Sequence, residues 1–238
     1  MILIQGKGVS KGVASGPICF FQRPGITITD APASDPETEK ARITAAQEKS
    51  IAQLNALAEK AREETGDETA LLFETHAMFV EDEDYVECMM DTLAEEKCTA
   101  ERAVEIAGEK FAGMLAAMDD AYMQARAADI RDITRRILNN LMGVVEGGID
   151  SEVPVILAAD DLAPSETIQL DKSKILGFIT QGGSGNSHTA ILARTMGIPA
   201  ISGLGDALKT ELGGRMAYID GETGQVAVEP DDITLAAF

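Results

Sequence analysis

Hydrophobic residues along the chain change their spacing twice, and these changes divide it into three zones. The first zone, residues 1–22, contains the short apolar runs "ILIQG" and "GPICFF", which are separated by glycines. Short apolar runs bounded by glycine predict strands joined by turns. Residues 24–36, rich in Pro, Asp and Thr, predict a loop.

The second zone, residues 36–147, carries apolar side chains three and four positions apart, which predicts helix almost throughout. One such series consists of Val104, Ala107, Phe111, Leu115 and Met118. Breaks are expected at residues 66–67, 82–84, 98–99 and 118–120. Thr99 is expected to cap the helix that follows it. The zone therefore predicts four or five helices packed as antiparallel hairpins.

The third zone, residues 148–238, alternates strand-like runs with a helix. Strands are expected at residues 153–159, 173–180, 199–203, 215–220 and 224–230. Residues 188–197 have helical spacing and end at Gly197, a residue type that favours helix C-caps. Strands that alternate with helices predict an α/β unit.

The two predicted N-terminal strands are too short to bury a core by themselves. We therefore expect them to join the sheet of the third zone, which makes a discontinuous α/β domain of residues 1–22 and 148–238. Residues 36–147 are then a four-to-five-helix bundle subdomain inserted into that domain. The predicted fold class combines an α/β part and an all-α part.

The net charge of −20 narrows the choice of partners. Such a surface repels nucleic acid and anionic membranes and attracts basic proteins. Solubility alone is the other explanation for the acidity. No apolar run approaches the roughly 20 residues that span a bilayer, so no membrane insertion is expected.

The N-terminus and the cysteines both point to the cytoplasm. No basic region precedes the first apolar run, so a secretory signal is not predicted. The cysteines Cys19, Cys88 and Cys98 are odd in number and lack CxxC spacing. Free thiols in a reducing compartment are therefore expected, and no metal site is predicted.

Residues 63–96 hold thirteen acidic residues and no Lys or Arg. A solvated helix face is the usual fate of such a run. However, charges of one sign on adjacent helices repel each other, and a histidine, a methionine and a phenylalanine interrupt the run. A docking face for a basic protein is therefore the alternative. Its candidate residues are His76, Met78, Phe79, Asp82, Glu83 and Asp84.

The stretch "GGSGNSHTAILAR", residues 182–194, places one of the two histidines of the chain at the start of an expected helix. Backbone N–H groups and the positive end of the helix dipole make such a start an anion site. The glycines match neither GxxxxGK[ST] nor GxGxxG, so nucleotide binding is not supported. A neutral imidazole is a good nucleophile, which makes His188 a candidate to accept a phosphoryl group.

Neighbouring residues offer further contacts to such a group. Ser187 and Thr189 provide hydroxyls, and Arg194 provides a positive charge six residues after His188. Six residues are nearly two helical turns, so spacing leaves open whether Arg194 reaches the phosphoryl group or is a surface charge. In the same way, His188 is either the nucleophile or part of the helix cap.

The segment "GGSGNSHTAILARTMGIPAI" resembles the phosphohistidine signature of phosphoenolpyruvate-utilising enzymes, and within that superfamily it looks most like enzyme I of the bacterial sugar phosphotransferase system. Four further segments are similar to that family, in the family's order along the chain: "GKGVSKGVASGP", "ARAADIRDITRRIL", "DLAPSETIQLD" and "YIDGETGQVAVEPD". The resemblance implies that His188 takes phosphate that originates from phosphoenolpyruvate and passes it to a histidine of the small carrier HPr.

The resemblance also implies roles for other residues. Thr167 falls on the position expected to hydrogen-bond the active imidazole. The inserted helical subdomain is expected to carry the HPr-binding surface, and Arg126 falls near that surface. The α/β domain is expected to be the phosphohistidine domain.

Two departures from the family stand out. Where the family commonly has Gly-Gly-Arg-Thr-Ser-His, this chain has Ser184 for the second glycine and Gly185 for the basic residue. Arg194 or a residue of another domain is needed to supply the missing charge.

The family's enzyme also continues with a C-terminal barrel that binds phosphoenolpyruvate and magnesium and forms the dimer. We therefore expect this chain to be the N-terminal half of a longer polypeptide, with no cofactor of its own and no charging by phosphoenolpyruvate alone.

Other functions stay open at this point. One is the phosphohistidine domain of a dikinase, a synthase or a multiphosphoryl protein of dihydroxyacetone kinase systems. Another is a non-catalytic binding module that uses only the acidic helices. The helical insertion and the "SET" segment favour enzyme I, whereas the sugar or regulatory branch that is served stays undetermined.

Overall fold

The structure is a computed structural model, and its contacts divide the chain into two compact units. The described residues are 1–33, 35–145 and 147–230. One unit consists of Met1–Arg23 together with the chain from Gly147 onward, and the other consists of Pro24–Glu146. Within the described residues, the second unit contains five α-helices, and the first contains eight β-strands and two α-helices.

The helices of the second unit are α1 Pro36–Glu64, α2 Asp67–Val80, α3 Glu83–Glu96, α4 Ala100–Ala116 and α5 Ala121–Met142. Breaks occur at the four predicted places, and at three of them a short polar side chain caps the next helix. Thr99, for example, accepts a hydrogen bond from Arg102 N at 3.4 Å. Helices adjacent in the chain pack on one another, as expected for hairpins. None of the described helices has the length and apolarity needed to cross a bilayer.

The other unit is built on one sheet with the strand order β1-β8-β7-β3-β4-β5-β6-β2. Its strands are β1 Ile2–Gln5, β2 Lys7–Ser10, β3 Val13–Phe20, β4 Val155–Ala159, β5 Ile175–Thr180, β6 Ala200–Ser202, β7 Met216–Asp220 and β8 Gln225–Val228. Its helices are α6 Pro164–Gln169 and α7 His188–Met196. The four strands β3 to β6 run parallel, and the other neighbouring pairs are antiparallel.

The N-terminal strands join this sheet, as the sequence predicts. Strand β1 pairs with β8 at one edge, and β3 lies between β7 and β4 in the interior. A pair of hydrogen bonds between Gln22 and Gly148, each of 3.1 Å, then joins the two points where the chain leaves and re-enters the unit.

The core of the α/β unit lies on both faces of the sheet. Successive residues of β4 face opposite sides, so that Ile156 belongs to one buried cluster and Leu157 to the other. The second cluster includes Leu162, which precedes α6, and Leu170, which follows it. It also includes Leu192 of α7. Helices α6 and α7 follow β4 and β5, so both cover the same face near the carboxyl ends of parallel strands.

The secondary structure predicted from the sequence differs from the structure at two places: it has a turn in place of strand β2, and it lacks helix α6. Residues Lys7–Ser10 are glycine-containing and were expected to be turn, yet they form a strand that pairs antiparallel with β6. A Cβ atom at Gly8 would lie 2.0 Å from the carbonyl oxygen of Gly221, so this glycine permits a close backbone approach. Helix α6 begins with Pro164, which suits the first helical position, but it is too short to show a periodicity.

Replacing this glycine tests the close approach. Gly8→Ala is expected to lower the free energy of unfolding by about 1–3 kcal/mol, because the backbone around Gly221 must shift. Gly148→Ala is the matched control, since no heavy atom lies within 4 Å of its added Cβ. Urea unfolding of both variants measures the difference. Equal stability of the two variants would contradict the assigned register of β2.

Candidate active site

The candidate site begins where β5 ends, at the loop of residues 181–187. Thr180 Oγ1 donates a hydrogen bond to the carbonyl of Gly182 at 2.7 Å, which turns the chain out of the sheet. Gly183 has a φ of +93°, a conformation that L side chains rarely adopt. In open α/β sheets, loops at the carboxyl ends of parallel strands are the usual place for ligands.

His188 is the first residue of α7, and its side chain is exposed. Ser187 is the N-cap: its hydroxyl accepts a hydrogen bond from Ala190 N at 3.2 Å. This cap orients the first turn, whose N–H groups and dipole favour an anion beside His188. The imidazole is therefore exposed at a helix start that favours a bound anion.

Thr189, the next residue, is buried and its hydroxyl has no hydrogen-bond partner in the described part of the chain. Buried hydroxyls are nearly always satisfied, so the unused bonding capacity in this first turn is unusual. The hydroxyl is shielded from solvent, so its contact with a phosphoryl group on the exposed His188 stays a prediction. The hydroxyl of Ser187, by contrast, is already used in capping the helix.

Arg194 lies in the second turn of α7, and its side chain folds back toward the loop. Its Nη2 donates a hydrogen bond to the carbonyl oxygen of Gly185 at 2.5 Å. Gly185 has open space around it, because no heavy atom lies within 4 Å of an added Cβ. The guanidinium therefore brings a positive charge to Gly185, the loop position where the sequence resemblance leads us to expect a basic residue.

Thr167 belongs to α6, which packs against α7. The Thr167 side chain is buried, and its hydroxyl donates a hydrogen bond to the carbonyl of Pro164 at 2.8 Å. The packing places the predicted partner on the helix beside His188. Its hydrogen bond to the imidazole itself stays a prediction.

Arg23, which follows β3, fixes the segment that leads into α6. Its guanidinium binds both carboxylate oxygens of Glu166, at 2.6 and 3.0 Å, and Oδ1 of Asp160 at 2.6 Å. Glu166 in turn accepts a hydrogen bond from Ala163 N at 2.8 Å and so caps α6. The hydrogen bond with Glu166 raises the pKa of Arg23 further. Burial raises the pKa of Asp160, but Arg23 and backbone N–H groups lower it to below its ordinary value.

Sequence reasoning missed Arg23. The residue is separated from Glu166 by 143 positions, and no local pattern marks the pair. The signal present in the sequence was only that both residues follow predicted strands, which is insufficient to pair them.

The predicted partner-binding residues of the helical unit differ in exposure. Met78 is 68% exposed, and Phe79 and Arg126 are partly exposed. Asp82, Glu83 and Asp84 are exposed at the start of α3, where Asp82 also caps the helix. These residues are exposed or partly exposed, and their contact with a partner stays a prediction.

His76 is the exception, because its side chain is completely buried. The expectation that it contacts a partner directly is therefore corrected. Two residues with no assigned role are instead exposed: Leu71 and Tyr122, each at 61%. Leu71 lies two turns before Met78 on the same face of α2, a spacing that was visible in the sequence.

No group of His, Cys, Asp and Glu side chains in residues 1–33, 35–145 and 147–230 is arranged to hold a metal ion. The three cysteines are free thiols. Burial raises the pKa of the Cys19 and Cys98 thiols, which favours their protonated form at neutral pH.

Comparison with known proteins identifies relatives of both units. Residues 5–126 match the family model of the PEP-utilising enzyme, N-terminal, and residues 151–224 match that of the PEP-utilising enzyme, mobile domain. Phosphoenolpyruvate-protein phosphotransferase of Priestia megaterium is 37% identical over 99% of the chain, and that of Enterococcus faecalis is 35% identical over 99%. The chain spans 41% of the length of each of these relatives.

Solved structures show the same architecture. An NMR solution structure of Enzyme I is 34% identical, with a TM-score of 0.78 over 98% of this chain and 96% of that one. The N-terminal domain of Enzyme 1 - Nitrogen is 27% identical, with a TM-score of 0.64 over 98% of this chain and 97% of that one. The two family models follow one another along the chain, and the first covers about half of it. The chain therefore belongs to the family of phosphoenolpyruvate-utilising enzymes.

Proposed function

We propose that this chain is the phosphocarrier-binding part of a phosphoenolpyruvate-protein phosphotransferase, in which His188 carries a phosphoryl group and exchanges it with a histidine of HPr. The observation that carries the proposal is the exposed imidazole at the N-terminus of α7, with the guanidinium of Arg194 folded back to the same loop. The names of the relatives support a phosphotransferase over a dikinase or synthase. A cytoplasmic location follows from this assignment.

The exchange is a displacement at phosphorus. A neutral ring nitrogen of His188 attacks the phosphorus atom of the phosphorylated carrier, a P–N bond forms, and the P–N bond to the carrier's imidazole breaks. The electron pair of the broken bond returns to the carrier's ring nitrogen. The bond that forms and the bond that breaks are of the same kind, so the reaction is reversible. The protein's task is to place the two imidazole rings and to stabilise the negative charge of the phosphoryl group in flight.

Two features next to His188 can stabilise the negative charge of the phosphoryl group. The N-terminal turn of α7 offers backbone N–H groups, and Arg194 offers a guanidinium held at Gly185. A guanidinium binds phosphate oxygens in a planar, two-pronged manner, so Arg194 is suited to the role that a basic residue at position 185 would otherwise have.

The partner is expected to be basic because the chain is strongly acidic. The helical unit combines exposed carboxylates of α3 with the exposed apolar side chains Leu71, Met78 and Tyr122. Apolar anchors surrounded by charge are typical of protein interfaces. The sites for phosphoenolpyruvate and magnesium are proposed to lie in a C-terminal barrel of the longer enzyme, and the proposed activity of this chain does not require either.

Labelling experiments test the proposed exchange. The purified chain is expected to acquire label from phosphorylated HPr and none from phosphoenolpyruvate alone. His188→Ala removes the nucleophile and should abolish labelling while HPr binding, measured by calorimetry, is retained. Labelling by phosphoenolpyruvate alone would sink this assignment, and a wild-type chain that binds HPr without accepting phosphate would support the binding module instead.

A second prediction concerns the charge at the loop. Arg194→Gln is expected to lower the phosphoryl exchange rate by about 10–100-fold, because a cation near the developing charge is lost. Adding Gly185→Arg in that variant should restore part of the rate, since space around position 185 is open. Arg215→Gln, at an exposed ion pair with Glu229, is the control and should leave the rate unchanged. An unaltered rate in Arg194→Gln contradicts the assigned role.

A third prediction concerns the docking surface. Met78→Ala should weaken HPr binding by about tenfold, because an exposed methionine in an interface loses its apolar contacts on truncation. Met216→Ala, at a comparably exposed methionine of the α/β unit, should bind normally. Affinity should also fall as salt rises, because exposed charges are screened. Normal binding by Met78→Ala would exclude this face of α2 from the interface.

A further inference from the structure

His76 is a completely buried histidine for which the proposed phosphoryl exchange has no direct use. It lies on α2, edge-on to the ring of Phe73, with 6.3 Å between the ring centres. Burying an imidazole among apolar groups is unfavourable unless its nitrogens meet polar partners. The identity of those partners therefore indicates what the residue does.

Both ring nitrogens of His76 face carboxylates of α5. Nε2 lies 3.2 Å from Oδ1 of Asp129, and Nδ1 lies 3.9 Å from Oδ2 of Asp132. The two aspartates are three residues apart on α5, so they project from the same side of that helix. His76 of α2 is thus within ion-pair distance of two carboxylates of α5, although neither ring nitrogen makes a hydrogen bond of good geometry in the described residues.

Asp129 continues this connection toward the surface. Its other oxygen, Oδ2, accepts a hydrogen bond from Nη1 of Arg126 at 3.1 Å. Burial raises the pKa of Asp129, but the contacts with His76 and Arg126 outweigh burial and bring the pKa below its ordinary value. Asp129 is therefore ionised at neutral pH and interacts with both neighbours at once.

Arg126 is held on its other sides by aromatic rings. Its guanidinium carbon lies 4.5 Å from the centre of the Tyr122 ring and 5.8 Å from that of Phe79, and Nη2 also bonds to the Tyr122 hydroxyl. Cations over aromatic faces at these distances are attracted to the rings. Phe79 lies one turn after His76 on α2, so the same two helices hold the arginine and its buried anchor.

The contacts form one path from the interior to the surface. His76 faces Asp129, Asp129 binds Arg126, and Arg126 lies beside Tyr122 and beside Phe79, which follows the exposed Met78 in the sequence. A free arginine side chain loses rotamer freedom when a partner binds, which weakens binding. An arginine ordered beforehand loses less, and arginine is among the residues that most often dominate protein interfaces.

We propose that His76 is a positioning residue for docking of the phosphocarrier: it does not touch the carrier, but through Asp129 it orders the guanidinium of Arg126 before the carrier binds. This inference rests on the proposed function and adds to it the reason for a buried histidine behind the docking surface. It also gives a reason for the ordered contacts of Arg126 with Asp129 and two aromatic rings.

The first arm of the test measures docking apart from phosphoryl exchange. His76→Leu removes both polar contacts at similar volume and should raise the Kd for HPr by about five- to thirtyfold, while the exchange rate at saturating HPr stays within about twofold of wild type. His76→Gln, whose amide can still donate toward Asp129, should restore most of the affinity. A fall in the saturated rate as large as the loss of affinity would overturn the proposal.

A second variant guards against failure of the first to fold. Asp129→Asn keeps the shape of a partly exposed side chain and should weaken HPr binding as His76→Leu does. Combined with His76→Leu it should weaken binding no further, because both changes interrupt the same path. Glu48→Gln removes an exposed carboxylate of α1 and is the control for charge. Native affinity in folded Asp129→Asn would overturn the proposal.

The second arm needs no carrier, so it separates this inference from the proposed function. Nitrogen relaxation of the Arg126 guanidinium, measured by NMR on the free chain, should show an ordered side chain in wild type and Glu48→Gln. The same group should be mobile in His76→Leu and Asp129→Asn. An equally ordered guanidinium in all four proteins refutes the positioning role, whether or not HPr is the partner.

Discussion

Strand β3 pairs with β7 on one side and β4 on the other, and the α/β unit depends on this double pairing. It joins strands from the two ends of the chain into one sheet, although the helical unit lies between them in sequence. The parallel pairing with β4 sets the direction in which β4 and β5 deliver α6 and α7 to one face. Arg23, just after β3, then anchors Glu166 before α6 turns. The site therefore inherits its geometry from a contact that closes a very long loop.

Positive charge is scarce in a chain of net charge −20, and two of its arginines are held at the places where chemistry and docking are proposed. Arg194 is fixed by a loop carbonyl, and Arg126 by Asp129 and two aromatic rings. In both cases the guanidinium is oriented before any partner arrives. Preorganised cations lose little freedom on binding, and in an acidic surface they offer the few positions that attract a phosphate or a carboxylate.

Much of the fold followed from local patterns. Helical periodicity and capping residues such as Thr99 marked the helix breaks, and glycine-bounded apolar runs marked most strands. Strand β2 was missed because Gly8 looks like a turn residue in sequence, whereas in the sheet it admits the backbone of Gly221. A glycine required by a tertiary contact carries no local sign that distinguishes it from a glycine in a turn.

For the candidate site, the sequence by itself determined that His188 begins a helix after a glycine loop, because Ser187, His188 and the helical spacing are neighbours in the chain. It also determined which residue types surround the histidine. Only the tertiary structure decided that Arg194 meets Gly185, that Arg23 meets Glu166 and that His76 is buried behind Arg126. The physical reason is that periodicity and capping act over a few residues, whereas burial and ion pairing depend on which helix face packs and on what lies opposite it.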